Sequence, residues 1–310
     1  MLLPPRFSRG TPVSVLVHAL VAGLMIAGAS AAPIISEFLT INSGEGLLDQ
    51  DGDSSDWVEI YNPDAVGVDL AGYGLSDDED RPMRWQFPAV TLEPGGYLVV
   101  FASGKNRDIP GMELHTNFSL DGDGEYLGLS GPDGVPISGF APEFPEQQRD
   151  TSFGVGSGGN TGYLLVPTPG AANGEALVSL TEAPSFSVAH GYFDRAVVLE
   201  ITAAPGSQIL YTTDGSVPTR LNGQVYKEPL EVGSTTIFRA VATLPDAVPS
   251  AVVTSSYIFP ADIKNQARMS QLVVAAPEYA DEIEEAIAAL PAISLAMSEA
   301  RFLGPDGIYT

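Results

Sequence analysis

The stretch Asp49-Gln50-Asp51-Gly52-Asp53-Ser54-Ser55-Asp56 sets hard oxygen atoms at alternating positions around a glycine, the donor chemistry that Ca2+ requires. The metal ligands expected from it are Asp49, Asp51, Asp53 and Asp56, with Asp56 equally suited to the edge of the strand that follows. The loop is not an EF-hand: glycine stands fourth rather than sixth, and the twelfth place, where a bidentate Glu belongs, holds Ile60. Two further acidic runs, Asp77-Asp78-Glu79-Asp80 and Asp121-Gly122-Asp123-Gly124-Glu125, read first as solvated turns, because Asp and Gly form turns on their own account. Gly154-Val155-Gly156-Ser157-Gly158-Gly159 lacks a following Gly-Lys-Ser/Thr and leads into Tyr163-Leu164-Leu165-Val166-Pro167, so it is a hairpin or loop and not a phosphate cradle. The chain has no cysteine, which removes disulfides, thiolate zinc sites and thiol catalysis. Of its 3 histidines only His115 and His190 lie beyond the first 31 residues, leaving little material for a catalytic triad. The expectation is a chain with no catalytic site, whose one candidate cofactor is Ca2+.

The elements that carry these residues read as short strands. Ile34 to Leu39, Trp57 to Tyr61, Tyr97 to Phe101 and Tyr126 to Leu129 are apolar, β-branched or aromatic runs bounded by Asn62-Pro63, Pro94-Gly95-Gly96 and Gly131-Pro132-Asp133-Gly134, a spacing that suits a sandwich. Trp57 and Trp85 are expected in its core. Thr168-Pro169-Gly170-Ala171-Ala172-Asn173-Gly174 has the composition of a module boundary. Beyond it, Ala196 to Thr202 alternates so that Val197, Leu199 and Ile201 share a face, and Gln208 to Thr212, Thr235 to Ala242 and Val252 to Phe259 complete a second, smaller strand set. Asp214 is expected to cap a turn through its own backbone. The pattern then becomes helical between Pro277 and Pro291, with Tyr279, Ile283, Ile287 and Leu290 on one face, followed by a strand at 292–297 and a loop at 302–309.

At the N-terminus Arg6 and Arg9 precede an apolar run from Val13 to Ala27 and then Ala29-Ser30-Ala31, the order of a signal peptide. The run is short of the roughly 20 apolar residues of a comfortable membrane span. Cleavage after Ala31 is expected, with no stable membrane span remaining; an uncleaved anchor would also place the bulk of the chain outside the membrane. Over 310 residues the formal charge is −25, and loss of Arg6 and Arg9 takes it near −27. Such a surface repels phosphate backbones, which argues against nucleic acid as a partner.

Ile35-Ser36-Glu37, Asp56 to Asn62, Asp69 to Asp77 and Leu92 to Tyr97 resemble the bacterial lamin tail domain. The resemblance implies an immunoglobulin-like sandwich used for binding or attachment. Tyr211-Thr212-Thr213-Asp214-Gly215-Ser216-Val217-Pro218-Thr219, with Thr236 to Ala240 and Ser250 to Tyr257, is similar to the chitobiase/β-hexosaminidase C-terminal-type domain, which implies an immunoglobulin or fibronectin-like accessory module and not the glycosidase barrel. Leu290 to Leu295 with Leu303 to Tyr309 resembles the entry into the CotH-type kinase domain, none of whose nucleotide-binding or catalytic positions falls within these residues.

The fold class expected is mainly β, with two immunoglobulin-like β-sandwich modules in tandem, an N-terminal signal helix and an incomplete α/β C-terminal segment. The boundaries are 1–31 for the signal peptide, 32–174 and 175–260 for the two modules, and 261–310 for linker, helix and the start of a kinase-like domain. The function expected is that of exported, non-catalytic binding or spacer modules positioning a downstream domain. Alternatives are the targeting region of an atypical CotH-type kinase and a carbohydrate-binding accessory region. The partners expected are a cell-surface or extracellular protein or glycan, and a kinase-like domain in cis.

Overall fold

A computed structural model describes residues 32–44, 46–266, 269–296 and 302, so the expected signal helix and the loop at 303–309 lie outside the described residues. Strands β1 (Ile34–Leu39), β2 (Asp56–Tyr61), β3 (Val68–Asp69), β4 (Gly74–Ser76), β5 (Trp85–Gln86), β6 (Thr91–Leu92), β7 (Tyr97–Ala102), β8 (Leu114–His115), β9 (Leu127–Ser130), β10 (Pro136–Phe140), β11 (Ser152–Val155) and β12 (Thr161–Leu164) build the first module. They form a six-stranded sheet in the order β12-β11-β1-β2-β7-β8, a four-stranded sheet β10-β9-β4-β5 and the small pair β3-β6. Phe38, Val58, Ile60 and Val100 from the larger sheet meet Leu75, Trp85, Leu127 and Leu129 from the smaller one in a single buried core. Phe38 is its aromatic centre, 4.6 Å from Phe144 and 5.1 Å from Phe140 between ring centroids. Trp57 is also buried, on the opposite face of the large sheet with Leu39 and Phe101.

One irregularity in β1 shapes everything on that opposite face. Ile35 pairs with Ile60 and Phe38 with Val58, so three residues of β1 span two of β2, with the register shift between Ile35 and Glu37. The extra residue is a β-bulge. It lets Ile35 and Phe38 both enter the core and turns Ser36 and Glu37 together toward Glu59 on the far side.

The second module comprises β13 (Ser185–Phe186), β14 (Gly191–Tyr192), β15 (Val197–Leu199), β16 (Ile201–Thr202), β17 (Gln208–Thr212), β18 (Gln224–Val225), β19 (Leu230–Val232), β20 (Thr236–Thr243) and β21 (Val253–Ile258). A five-stranded sheet β14-β21-β20-β17-β18 faces the pairs β13-β16 and β15-β19 across Leu199, Ile201, Tyr211, Phe238 and Tyr257. The continuous strand expected at 196–202 is therefore two. Its residues keep the expected alternation, but at Glu200 the chain leaves β19 and joins β13, anchored by Glu200 N donating to Ser187 Oγ at 2.8 Å.

One residue of the second module enters the core of the first. Leu177 exchanges two backbone hydrogen bonds with Tyr163 on β12, and residues 179 and 181 do the same with Val248 of the second module: Val248 N donates to Ser179 O and Thr181 N to Val248 O, both at 2.9 Å. Val248 is 1% exposed and belongs to the first module's hydrophobic core, with Leu177 and Leu180 packed beside it.

The C-terminal segment departs from expectation. Short helices α1 (Pro260–Lys264), α2 (Gln271–Val274) and α3 (Ile283–Ala288) occupy it, so the long amphipathic helix is reduced to its middle. Of the predicted apolar face only Ile283 is buried; Tyr279 and Leu290 are exposed. Residues 292–296 form no strand, and Ile293 is 88% exposed, although Ser294 Oγ lies 2.7 Å from Ser256 Oγ on β21. No helix of the described residues is long and apolar enough to cross a membrane.

Candidate functional site

The aspartate loop between β1 and β2 does close on a cation, and that cation is a lysine. Asp49 is buried and organises the turn through Oδ1, which accepts Asp51 N at 2.9 Å and Asp53 N at 3.0 Å. Its Oδ2 accepts Ser55 Oγ at 2.7 Å. Lys105, from the connection between β7 and β8, places Nζ 2.6 Å from Asp49 Oδ2, 2.7 Å from Asp51 Oδ2 and 2.8 Å from Asp53 Oδ2. Arg107 adds a second contact to Asp51 Oδ2 at 2.6 Å. Three carboxylates do meet within ligand range of one another, as hard-cation chemistry demands, with the ammonium seated among them. Burial alone would raise the pKa of Asp49, but Lys105, Ser55 and the two backbone N–H groups hold it far below the usual carboxylate range. Burial likewise opposes the charge on Lys105, yet Asp49, Asp51 and Asp53 hold its pKa above the ordinary lysine value.

Asp56 does not join them. At the start of β2 it turns to another loop, where Oδ2 accepts Leu120 N at a long 3.3 Å. Burial, with the charge of Glu125 adding to it, raises its pKa to about 7. The second acidic run is neutralised locally: Asp77 pairs with Arg84, and Asp78 with Arg81 at 2.7 Å. The third closes as a turn, Asp123 N donating to Asp121 Oδ1 at 3.0 Å and Asp121 N to Glu125 Oε1 at 2.7 Å. Residues 154–159 are the hairpin end of β11 and β12, and Asp214 accepts Ser216 N at 3.0 Å as a turn cap. His115 is buried, its Nδ1 2.8 Å from Ser103 Oγ; burial, with the nearby charges of Arg107 and Lys105, pushes its pKa down, so the ring is neutral.

The sequence reading missed a pair of carboxylates. Glu37 and Glu59 stand directly opposite on β1 and β2, each 0% exposed. Ser36 Oγ donates to Glu59 Oε1 at 2.6 Å, and Gly170 N to Glu59 Oε2 at 2.6 Å. Glu37 takes Ser152 Oγ on Oε1 and Thr168 Oγ1 on Oε2, the latter at 3.1 Å, together with Thr168 N. Asn173 Nδ2 then ties the end of the same segment to Ser36 O and Val155 O, both at 2.9 Å. The pair is thus a clamp on residues 168–173, the segment that leads to the second module. Burial raises the pKa of Glu59 to about 7, the neighbouring Glu37 contributing; burial raises Glu37 too, against its hydrogen bonds. The only signal was a Glu at a strand position on each of two adjacent strands, which alternation alone assigns to solvent.

Comparison with protein families bears on both modules. Residues 28–143 match the Lamin Tail Domain family. Residues 197–257 match the family described as Fn3 associated, over the strands expected from the chitobiase-type resemblance. Two such matches in tandem describe a pair of immunoglobulin-like modules, and neither extends into residues 261–310. In the structure the lamin-tail sheet runs beyond the matched span, since β11 and β12 pair onto β1. No curated protein matches the chain.

Proposed function

We propose that residues 32–260 act as a rigid, non-catalytic pair of binding or spacer modules in an exported protein, fixing the direction in which the rest of the chain is presented to a surface or extracellular partner. The observation that carries this is Val248: a residue of the second module fills the core of the first, and the connecting segment is hydrogen-bonded to both. A linker with no such contacts would let the modules swing. The non-catalytic reading is supported by the state of the groups that could react. Glu37 and Glu59 are sealed and satisfied by hydrogen-bond donors, His115 is buried and neutral, and the aspartate loop holds an ammonium. Export is supported by the order of charge, apolar run and small residues over Arg6 to Ala31.

The absence of cysteine makes the test direct. Val66→Cys and Leu221→Cys, both at exposed positions, place one spin label on each module of the full chain. A single narrow inter-label distance distribution is expected, broadening when Val248→Asp is added. A broad distribution in the chain with native Val248 would overturn the rigid-spacer reading.

A further inference from the structure

Among the described residues the half-buried basic side chains are Arg84, Lys105, Arg107, Arg239 and Lys264. Arg84 is paired with Asp77, Lys105 and Arg107 with the aspartate loop, and Lys264 with Glu284. Arg239 has no ion pair among the described residues, in a chain whose formal charge is −25. Its Nη1 donates to Gly215 O at 3.1 Å, and its Nε is buried without a partner. Asp214, the acid nearest to that contact along the chain, is committed to Ser216. Burial alone lowers the pKa of Arg239; no neighbouring carboxylate acts against it. The position is fixed by the sheet, since on β20 it stands opposite Thr212 of β17 and Thr254 of β21.

Arg239 lines a cleft of about 1050 Å3 between the two modules. One wall comes from Ile41, Ser43 and residues 146–150 of the first module, the other from Val217, Arg239, Ala251 and Val252 of the second, and residues 180–183 of the connection join them. In this lining Gln147 and Thr181 are each 4% exposed, and Gln147 Oε1 and Thr181 Oγ1 have no hydrogen-bond partner. Buried polar groups in folded proteins are ordinarily paired. One cleft thus gathers an unmatched cation, an unmatched acceptor and an unmatched hydroxyl. The separation of its walls is set by Val248 and by the backbone bonds that Val248 exchanges with Ser179 and Thr181.

The lining selects the occupant. A guanidinium matches a carboxylate or a phosphate through two parallel hydrogen bonds. Glu146, Asp150 and Glu182 share the cleft with Arg149 and Arg239, so acids outnumber bases and an occupant with several negative charges is repelled. A single carboxylate is the anion that fits. Leu180, Val217 and Val252 add aliphatic surface, and no aromatic ring lines the cleft on which a sugar could stack. A polypeptide C-terminus combines the matching features: one carboxylate, an aliphatic last side chain, and backbone N–H donors for an acceptor such as Gln147 Oε1.

We propose that the inter-module cleft captures the C-terminal carboxylate of a partner polypeptide that ends in an aliphatic residue, with Arg239 as the carboxylate-binding group. The proposal rests on the reading of residues 32–260 as rigid binding modules and gives that reading a ligand class. Capture of a chain terminus draws its specificity from one charge and one apolar side chain. Walls already fixed in place spare the ordering cost of binding.

The test uses the full chain and fluorescein-labelled hexapeptides ending in Ala, Val, Leu or Ile, each as the free acid and as the C-terminal amide. Fluorescence anisotropy is expected to show saturable binding of at least one free-acid peptide, and binding of its amide at least tenfold weaker. Arg239→Gln should weaken binding at least tenfold, and Arg239→Lys should recover part of that loss. Val217→Glu, at a cleft position 48% exposed where folding is not at risk, should also weaken binding at least tenfold. The proposal is overturned if no free-acid peptide binds, if acid and amide bind equally, or if binding survives both Arg239→Gln and Val217→Glu. Tighter binding of a glucuronic acid disaccharide than of any peptide would overturn it as well, by making the occupant a glycan. Any of these results alongside a narrow inter-label distance distribution leaves the rigid pair of modules standing, whereas a broad distribution removes the premise of both.

Discussion

Lys105 Nζ stands within 2.8 Å of three carboxylate oxygens, with 21% of its side chain exposed, so its removal leaves like charges facing one another with part of their solvation missing. Lys105→Met is expected to cost about 2 kcal/mol, read as a lower urea midpoint at unchanged slope, whereas Asp53→Asn at an exposed carboxylate should cost under about 1 kcal/mol. The buried acids act in the opposite sense to the loop. Glu59 titrates near 7 in the folded chain against an ordinary 4.5, so the native state holds its proton more tightly than the unfolded one. The stability it contributes is full below about pH 4.5 and is lost as pH rises through 7, amounting to about 3 kcal/mol at most, since one pKa unit is about 1.4 kcal/mol. Asp49, held low, contributes stability present above its ordinary value of 3.8 and lost in stronger acid. Thermal unfolding of the chain should therefore be most resistant near pH 4 to 5, and Glu59→Gln should flatten the decline between pH 5 and 8. A melting temperature that rises across that interval would contradict the assignment.

Among elements, the bulge in β1 has the widest consequences. By turning Ser36 and Glu37 to the same side it creates the clamp on residues 168–173, and it also brings the backbone of β11 close: a Cβ on Gly154 would lie 2.1 Å from Ser36 O. Glycine there is required by proximity. Gly154→Ala should cost about 2 kcal/mol or more through backbone displacement, and should loosen hydrogen-exchange protection at Thr168 and Gly170, whose N–H groups hang on the two carboxylates. At the other end of the chain, α3 shows what a strong helical pattern yields with little to pack on. Its predicted stripe buries Ile283 alone, and isolated helices of that length have little stability of their own.

On the scale of the molecule, Val248 of the second module sits in the hydrophobic core of the first, and the two are expected to unfold together. Val248→Asp puts a charge into the first module's core, which should cost about 3 kcal/mol and split a single unfolding transition into two, observed by calorimetry. A single transition persisting in that variant would mean that the modules are coupled through other contacts. The chain's −25 charge acts throughout. It favours solubility and repels polyanions.

The sequence by itself determined the class of fold and the chief strands. Alternation, turn residues and aromatic content act over a few residues, so β2, β7, β17, β20 and β21 lie where the pattern puts them, and Trp57 and Trp85 are buried as expected. It also marked the acidic loops, because Asp and Gly spacing is local. What it left open was which acid faces which partner. That Lys105 reaches back 52 to 56 residues into the aspartate loop, that Asp56 turns away toward Leu120, that Glu37 meets Glu59 and that Val248 enters a foreign core all depend on strand pairing across long separations. A single-residue bulge reverses the face of every side chain after it, and no local pattern records which residue is the extra one. Tertiary pairing alone decided which charges of this protein meet a partner.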